Sequence, residues 1–230
     1  MAVPCIGTAF LIYGENMKKN YKRFTKKDIE AIGGLISPDE RFVPVKAQPG
    51  WFISNHARLA SKRRNGTAVL IRTFFINGYE TVVTYSTLSG SRKPKMFMIH
   101  NLVATAFVNV PDWIRENEII EVHHKRKVNH KEREYGTDFA TNLTYLPKTI
   151  HKTVDAVREI GVCRRGLYED MDFVSAAFSM GIDPYALADV LRQEPDAIED
   201  DYKYYDCLIN YGGKPVDLEF RIIRGKYKRG

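Results

Sequence analysis

Between residues 42 and 86 apolar and polar positions recur with the short period of strands. The runs 68–76 and 79–85, rich in Val, Ile, Phe, Thr and Tyr, flank Asn77-Gly78. That pair tolerates positive φ at both turn positions and predicts a two-residue hairpin. Upstream, Gly50 to Leu59 predicts another short strand and turn, with Lys62, Arg63 and Arg64 in the next loop. Residues 89–94 read as a polar loop containing Gly and Pro. From Met98 to Val108 the period changes. Ile99, Leu102, Val103, Ala106 and Phe107 recur at helical spacing and predict a buried helix, with His100 beside its apolar face as a core histidine.

Further on, Ile119, Ile120, Glu121, Val122, His123 and His124 read as a buried strand that ends in two imidazoles. A helix is expected over 148–160, with Ile150, Val154 and Val157 on one face, Pro147 at its start and Gly161 as its stop. His151 falls in its first turns. After Gly161 two short helical patterns follow, Phe173, Ala176, Ala177, Met180 and then Leu187, Val190, Leu191. Between them Gly181-Ile182-Asp183-Pro184 supplies a stop, an N-cap and a proline at N1. The pair resembles a helix-turn-helix or an ordinary helical hairpin, and Arg192 is the one cation on its second helix. Residues 208–211 and 216–223 predict a terminal hairpin across Gly212-Gly213, followed by a basic tail. At the other end Lys18, Lys19, Lys22, Arg23, Lys26 and Lys27 form a basic cluster before a short helical pattern starting at Asp28. Such a run is a solvated face or an arm along phosphates.

Composition narrows the class. The chain has 230 residues, 44% of them hydrophobic, enough for a real core. A net charge of +7 and a pI of about 9.2 favour acidic partners, nucleic acid first. Cys5, Cys163 and Cys207 are scattered and form no C-x-x-C pair, which suggests free thiols in a reducing compartment. No apolar run reaches membrane-spanning length, and the opening residues carry no basic n-region of a secretory signal. A cytoplasmic protein is expected, in a host cell if the gene is viral.

The ordered residues His123-His124, Asn142 and His151 change the picture most. This strand, loop and helix order resembles the HNH motif of the ββα-metal endonucleases. Two upstream segments extend the resemblance to the phage and intron homing endonucleases. Trp51 to Ser61 is similar to their "Y-x-V-S-N-x-G-R-V-x-S" segment, and Ile99 to Phe107 to their "V-H-R-L-V-A-x-A-F" helix. The match departs in three places. Lys125-Arg126-Lys127-Val128-Asn129 follows the histidine pair where relatives have Asp-Gly-Asn, His123 stands where a carboxylate or asparagine is usual, and Asn101 replaces an arginine.

The resemblance implies an α+β fold: a small antiparallel β segment, a ββα-metal core and a helical C-terminal module. It divides the chain into a basic segment over 1–40, a β-rich DNA-binding-like segment over 41–97, a nuclease core over 98–162 and a helix-turn-helix-like module with a terminal β hairpin over 163–230. It implies hydrolysis of phosphodiester bonds in double-stranded DNA. His124 would be the general base, Asn142 would orient it, and His123 and His151 would hold one divalent ion. Two imidazoles without a carboxylate favour Mn, Ni, Co or Zn over Mg, with Mn first. Lys62, Arg63, Arg64, Lys125, Arg126, Lys127, Lys131 and Arg133 are the expected phosphate contacts. Because adjacent strand residues point to opposite faces, His123 and His124 share one site only if the strand end twists or bulges. The altered loop keeps a rival open: a nuclease-derived, non-catalytic structural or DNA-binding component of a larger, virion-type assembly. A homo-oligomer is compatible with either reading.

Overall fold

The structure, a computed structural model, describes residues 23–63, 66–85, 94–126, 136–193 and 202–224. It is a mixed α+β fold with antiparallel sheets and few helices. The chain divides into two compact units, one drawn from 1–76 and 80–106, the other from 77–79 and 107–230.

The first unit opens with helix α1 (Lys26–Ala31), fixed by a capping box: Asp28 N–H donates to Thr25 Oγ1, and Thr25 N–H donates to the Asp28 carboxylate. Strands β1 (Phe42–Pro44), β2 (Trp51–Ser54), β3 (Leu59–Lys62) and β4 (Ala68–Leu70) follow in one antiparallel sheet, in that order. Phe52, Ile53, Ser54, Leu59, Ala60 and Ala68 are its buried residues. The Ser54-Asn55-His56-Ala57-Arg58 turn between β2 and β3 is built from its own side chains. Ser54 Oγ accepts from the backbone N–H groups of His56 and Arg58, and Asn55 Oδ1 accepts from Arg41 N–H at 2.8 Å. Arg58 donates to the Gly34 and Ile32 carbonyls and to Glu40. Ala57 takes φ 61°.

The run expected as one strand over 68–76 is broken: β4 ends at Leu70, and β5 (Phe74–Ile76) starts a second sheet with β6 (Tyr79–Tyr85) and β7 (Pro94–Met98). Asn77 (φ 50°) and Gly78 (φ 82°) make the expected turn between β5 and β6. Helix α2 (Ile99–Phe107) buries Ile99, His100, Val103 and Ala104.

The second unit begins with a hairpin, β8 (Ile120–His124) against β9 (Leu143–Pro147), and runs straight into helix α3 (Lys148–Ala156). Here the expected helix over 148–160 needs correction. α3 stops at Ala156 and the chain becomes strand β10 (Val157–Arg164), with Gly161 in mid-strand. Val157, Ile160 and Val162 carry the β-branched preference for strands, and pairing with both neighbours captures them. Strands β11 (Leu167–Met171), β10, β13 (Lys214–Arg224) and β12 (Tyr202–Tyr211) form a four-stranded antiparallel sheet in that spatial order. Helices α4 (Phe173–Ser179) and α5 (Pro184–Gln193) join this unit, α4 packing on β10 and α5 on α3.

The C-terminal region is therefore as much sheet as helix. The hairpin across Gly212-Gly213 is longer than the sequence suggested, and its inner residues Tyr205, Leu218, Phe220 and Ile222 share one core with Leu146, Ile150, Ile160, Phe173 and Leu187. Tyr205 and Phe220 stack at 4.6 Å across the strands. Burying each large side chain here contributes about 2 kcal/mol.

Candidate metal and hydrolytic site

Strand and helix periodicity bring the site together. Along β8, Glu121 and His123 share one face, while Val122 and His124 share the other. On α3, Ile150 and Val154 are buried in the core, and the neighbouring stripe carries His151 and Asp155, one turn apart. That stripe lies over the Glu121/His123 face. His123 Nδ1 is 3.2 Å from His151 Nε2, and the rings meet edge to face at 86°. The Asp155 carboxylate straddles both, with one oxygen 3.3 Å from His123 Nδ1 and the other 3.5 Å from His151 Nε2. Behind the cluster Glu121 accepts from His151 Nδ1 at 2.7 Å. An imidazole whose Nδ1–H is given away presents its Nε2 lone pair forward.

These three side chains could bind a metal ion. Donors about 2.1 Å from one ion lie about 3.0–3.4 Å apart at octahedral to tetrahedral angles. The separations of 3.2 and 3.3 Å fall in that range, and the 3.5 Å from His151 to the other Asp155 oxygen lies just beyond it. The sequence reading has imidazoles without a carboxylate; in the structure the Asp155 carboxylate lies beside both rings. Its position four residues after His151 was readable as a shared helix face, and Glu121, two residues before His123, as a shared strand face.

His124 is held differently. The β8–β9 register is regular, with His123 opposite Thr144 and His124 opposite Leu143, so no bulge turns the two rings to one side. His124 Nε2 instead meets Asp138 Oδ1 at 2.8 Å, both side chains nearly buried. At the strand end both histidines still border one open groove of about 870 Å³, together with Lys125, Arg126, Thr144 and Ser175.

Asn142 acts on the backbone. Its Oδ1 accepts from Arg126 N–H at 2.9 Å and its Nδ2 donates to the Thr137 carbonyl at 2.7 Å, while its carbonyl accepts from Lys125 N–H at 2.8 Å. Asn142 thus ties the chain just after His124 to the chain just before Asp138. The carboxylate that touches the imidazole is Asp138, which no local motif marked.

The expected phosphate contacts divide. Lys125 and Arg126 are exposed beside the groove. Arg63 is exposed in the first unit. Lys62 is a correction: its ammonium is 2.7 Å from the Asp28 carboxylate and donates to the Arg23 carbonyl, with only 8% of the side chain exposed. A buried Lys can be held this way only with its charge matched, so Lys62 is spent inside the fold. Burial pushes the Asp28 carboxyl up, but hydrogen bonds from Lys62 and Thr25 override it and hold the group below the usual carboxylate range. Arg64, Lys127, His130, Lys131 and Arg133 lie outside the described residues. On α5 Arg192 pairs with Asp189 and donates to the Thr149 carbonyl, which leaves the helix poorly equipped to read a DNA groove.

Among the described residues no helix is long and apolar enough to cross a membrane. No family model and no curated protein sequence matches the chain. A solved structure of the HNH homing endonuclease I-HmuI, described as showing DNA binding and cleavage, matches with a TM-score of 0.34 and 17% identity, over 69% of this chain and 94% of that one. A likeness that loose fixes neither fold nor activity.

Proposed function

We propose that the protein is a metal-dependent HNH-type endonuclease that hydrolyses phosphodiester bonds in double-stranded DNA. In this reading β8, β9 and α3 are the ββα-metal core, residues 98–162 carry the catalytic module, and 1–40, 41–97 and 163–230 assist in holding DNA. The observation that carries it is the convergence of His123, His151 and Asp155 beside a His124 held by a nearly buried carboxylate.

A divalent ion held by His123, His151 and Asp155 would stabilise negative charge on the scissile phosphate and the departing oxygen. His124 takes the proton from water at the ring nitrogen turned away from Asp138, a task suited to a neutral imidazole. Asn142 keeps the strand end and the Thr137–Asp138 segment in register. Lys125 and Arg126, exposed at the groove, meet backbone phosphates. Two nitrogen donors favour Mn²⁺ over Mg²⁺.

Plasmid cutting with Mn²⁺ tests this directly. His124→Ala should lower cutting by about 100-fold or more while Mn²⁺ binding persists, and His151→Ala should abolish both. Equal rates with Mg²⁺ would count against His123 as a ligand.

The regular register that sends His123 and His124 to opposite faces supports a second reading, a nuclease-derived DNA-binding component without catalysis. DNA retention without cutting under any of these metals would favour it.

A further inference from the structure

We infer that Asp138 is the positioning residue of the hydrolytic histidine: its carboxylate holds His124 by Nε2 and so selects which ring nitrogen meets the water. The inference rests on the nuclease reading and deepens it. Sequence resemblance assigns orientation of this histidine to Asn142, yet both Asn142 side-chain contacts run to backbone, at Arg126 and Thr137. Asp138 Oδ1 instead lies 2.8 Å from His124 Nε2, with 9% of the Asp138 side chain and 13% of the His124 side chain exposed.

Three consequences follow from chemistry. A carboxylate accepts and does not donate, so it selects the Nε2–H tautomer and leaves Nδ1 as the basic nitrogen. When Nδ1 gains a proton, the adjacent carboxylate stabilises the imidazolium without itself becoming protonated, as in other histidine–carboxylate pairs. The ring is also fixed in rotation, since Asp138 sits directly after the Thr137 carbonyl that Asn142 grips. Asn142 therefore acts at one remove, by holding the backbone that carries Asp138. Nothing local in the sequence marks Asp138, because it lies in a long connection and meets His124 only across the hairpin end.

Long-range ¹H–¹⁵N NMR of the unaltered protein, with the His124 signal identified by its loss in His124→Gln, reads the tautomer directly. Predominant Nε2–H is expected, and predominant Nδ1–H overturns the inference. In Mn²⁺-supported cutting, Asp138→Asn should lower kcat by about 100-fold with KM and Mn²⁺ affinity changed less than about threefold, because an amide can donate to Nε2 and reverse the tautomer. Asp138→Glu should recover part of the loss. Retention of kcat within about twofold in a folded Asp138→Asn protein ends this inference alone. An unaltered protein that cuts nothing with Mn²⁺ ends the hydrolase reading, and this one with it.

Discussion

Ala57 sits in the left-handed region at φ 61°, where a Cβ costs about 1–2 kcal/mol and glycine costs nothing in strain. The homing-endonuclease segment it resembles has glycine there. Ala57→Gly should therefore stabilise the protein by about 0.5 kcal/mol after the added chain entropy is subtracted, read as a higher urea midpoint. Asp28 and Lys62 behave in the opposite sense. Both side chains are nearly buried, so Lys62→Ala leaves a stranded carboxylate and should cost about 3 kcal/mol in a chemical melt. The Asp28 carboxyl is depressed in the folded state, so its contribution is complete above the unfolded pKa and fades as pH falls through the folded one. As pH falls below the ordinary carboxylate range the unaltered protein should lose more stability than Asp28→Asn, and parallel curves would refute the linkage. Part of this was legible: the residues from Asp28 onward carried a short helical pattern. That Lys62 answers Asp28 was not, because the two meet only after the sheet forms.

At the scale of elements, helix and strand compete for residues 157–162. Val154 and Val157 extend an α-helical stripe, but Val157, Ile160 and Val162 also suit a strand, and β11 and β13 decide the matter by pairing on both sides. Gly161, readable as a helix stop, is needed for another reason. A Cβ there would lie 2.7 Å from Arg221 Nε and 2.7 Å from Asp170 Oδ1. Its absence lets Arg221 pair with Asp170 at 3.1 Å and lie over the Tyr168 ring at 4.8 Å. Gly161→Ala should cost about 1 kcal/mol by displacing Arg221, and most of that cost should vanish in an Arg221→Ala background. An unchanged cost in that background would place the clash on the Asp170 carboxylate instead. The alternation along β8 is the same lesson in reverse: one site for both His123 and His124 required a twist or bulge at the strand end, and the register is regular.

For the molecule as a whole the relevant quantity is charge. A net +7 is a property of composition, and under the proposed function the phosphate contacts made by its cations give a DNA affinity that weakens steeply with salt. Under the proposed function Lys125→Ala and Arg126→Ala should each reduce the slope of log affinity against log salt by about one, whereas Lys62→Ala should leave the slope unchanged in protein that remains folded. A Lys62→Ala slope reduced by one would show that its ion pair opens for phosphate.

Short-range order was open to reading before any fold was known: the Asn77-Gly78 turn, the short helix at Asp28, the strand ending in two imidazoles and the apolar stripe of α3 all depend on neighbours a few residues away. Tertiary packing alone chose strand over helix after Ala156, set Lys62 against Asp28, brought Asp155 over His123 and gave His124 to Asp138. Each of those outcomes is a pairing of charges or backbone ladders between distant segments. Local spacing carries no information about which distant partner arrives, and only the closed core fixes it.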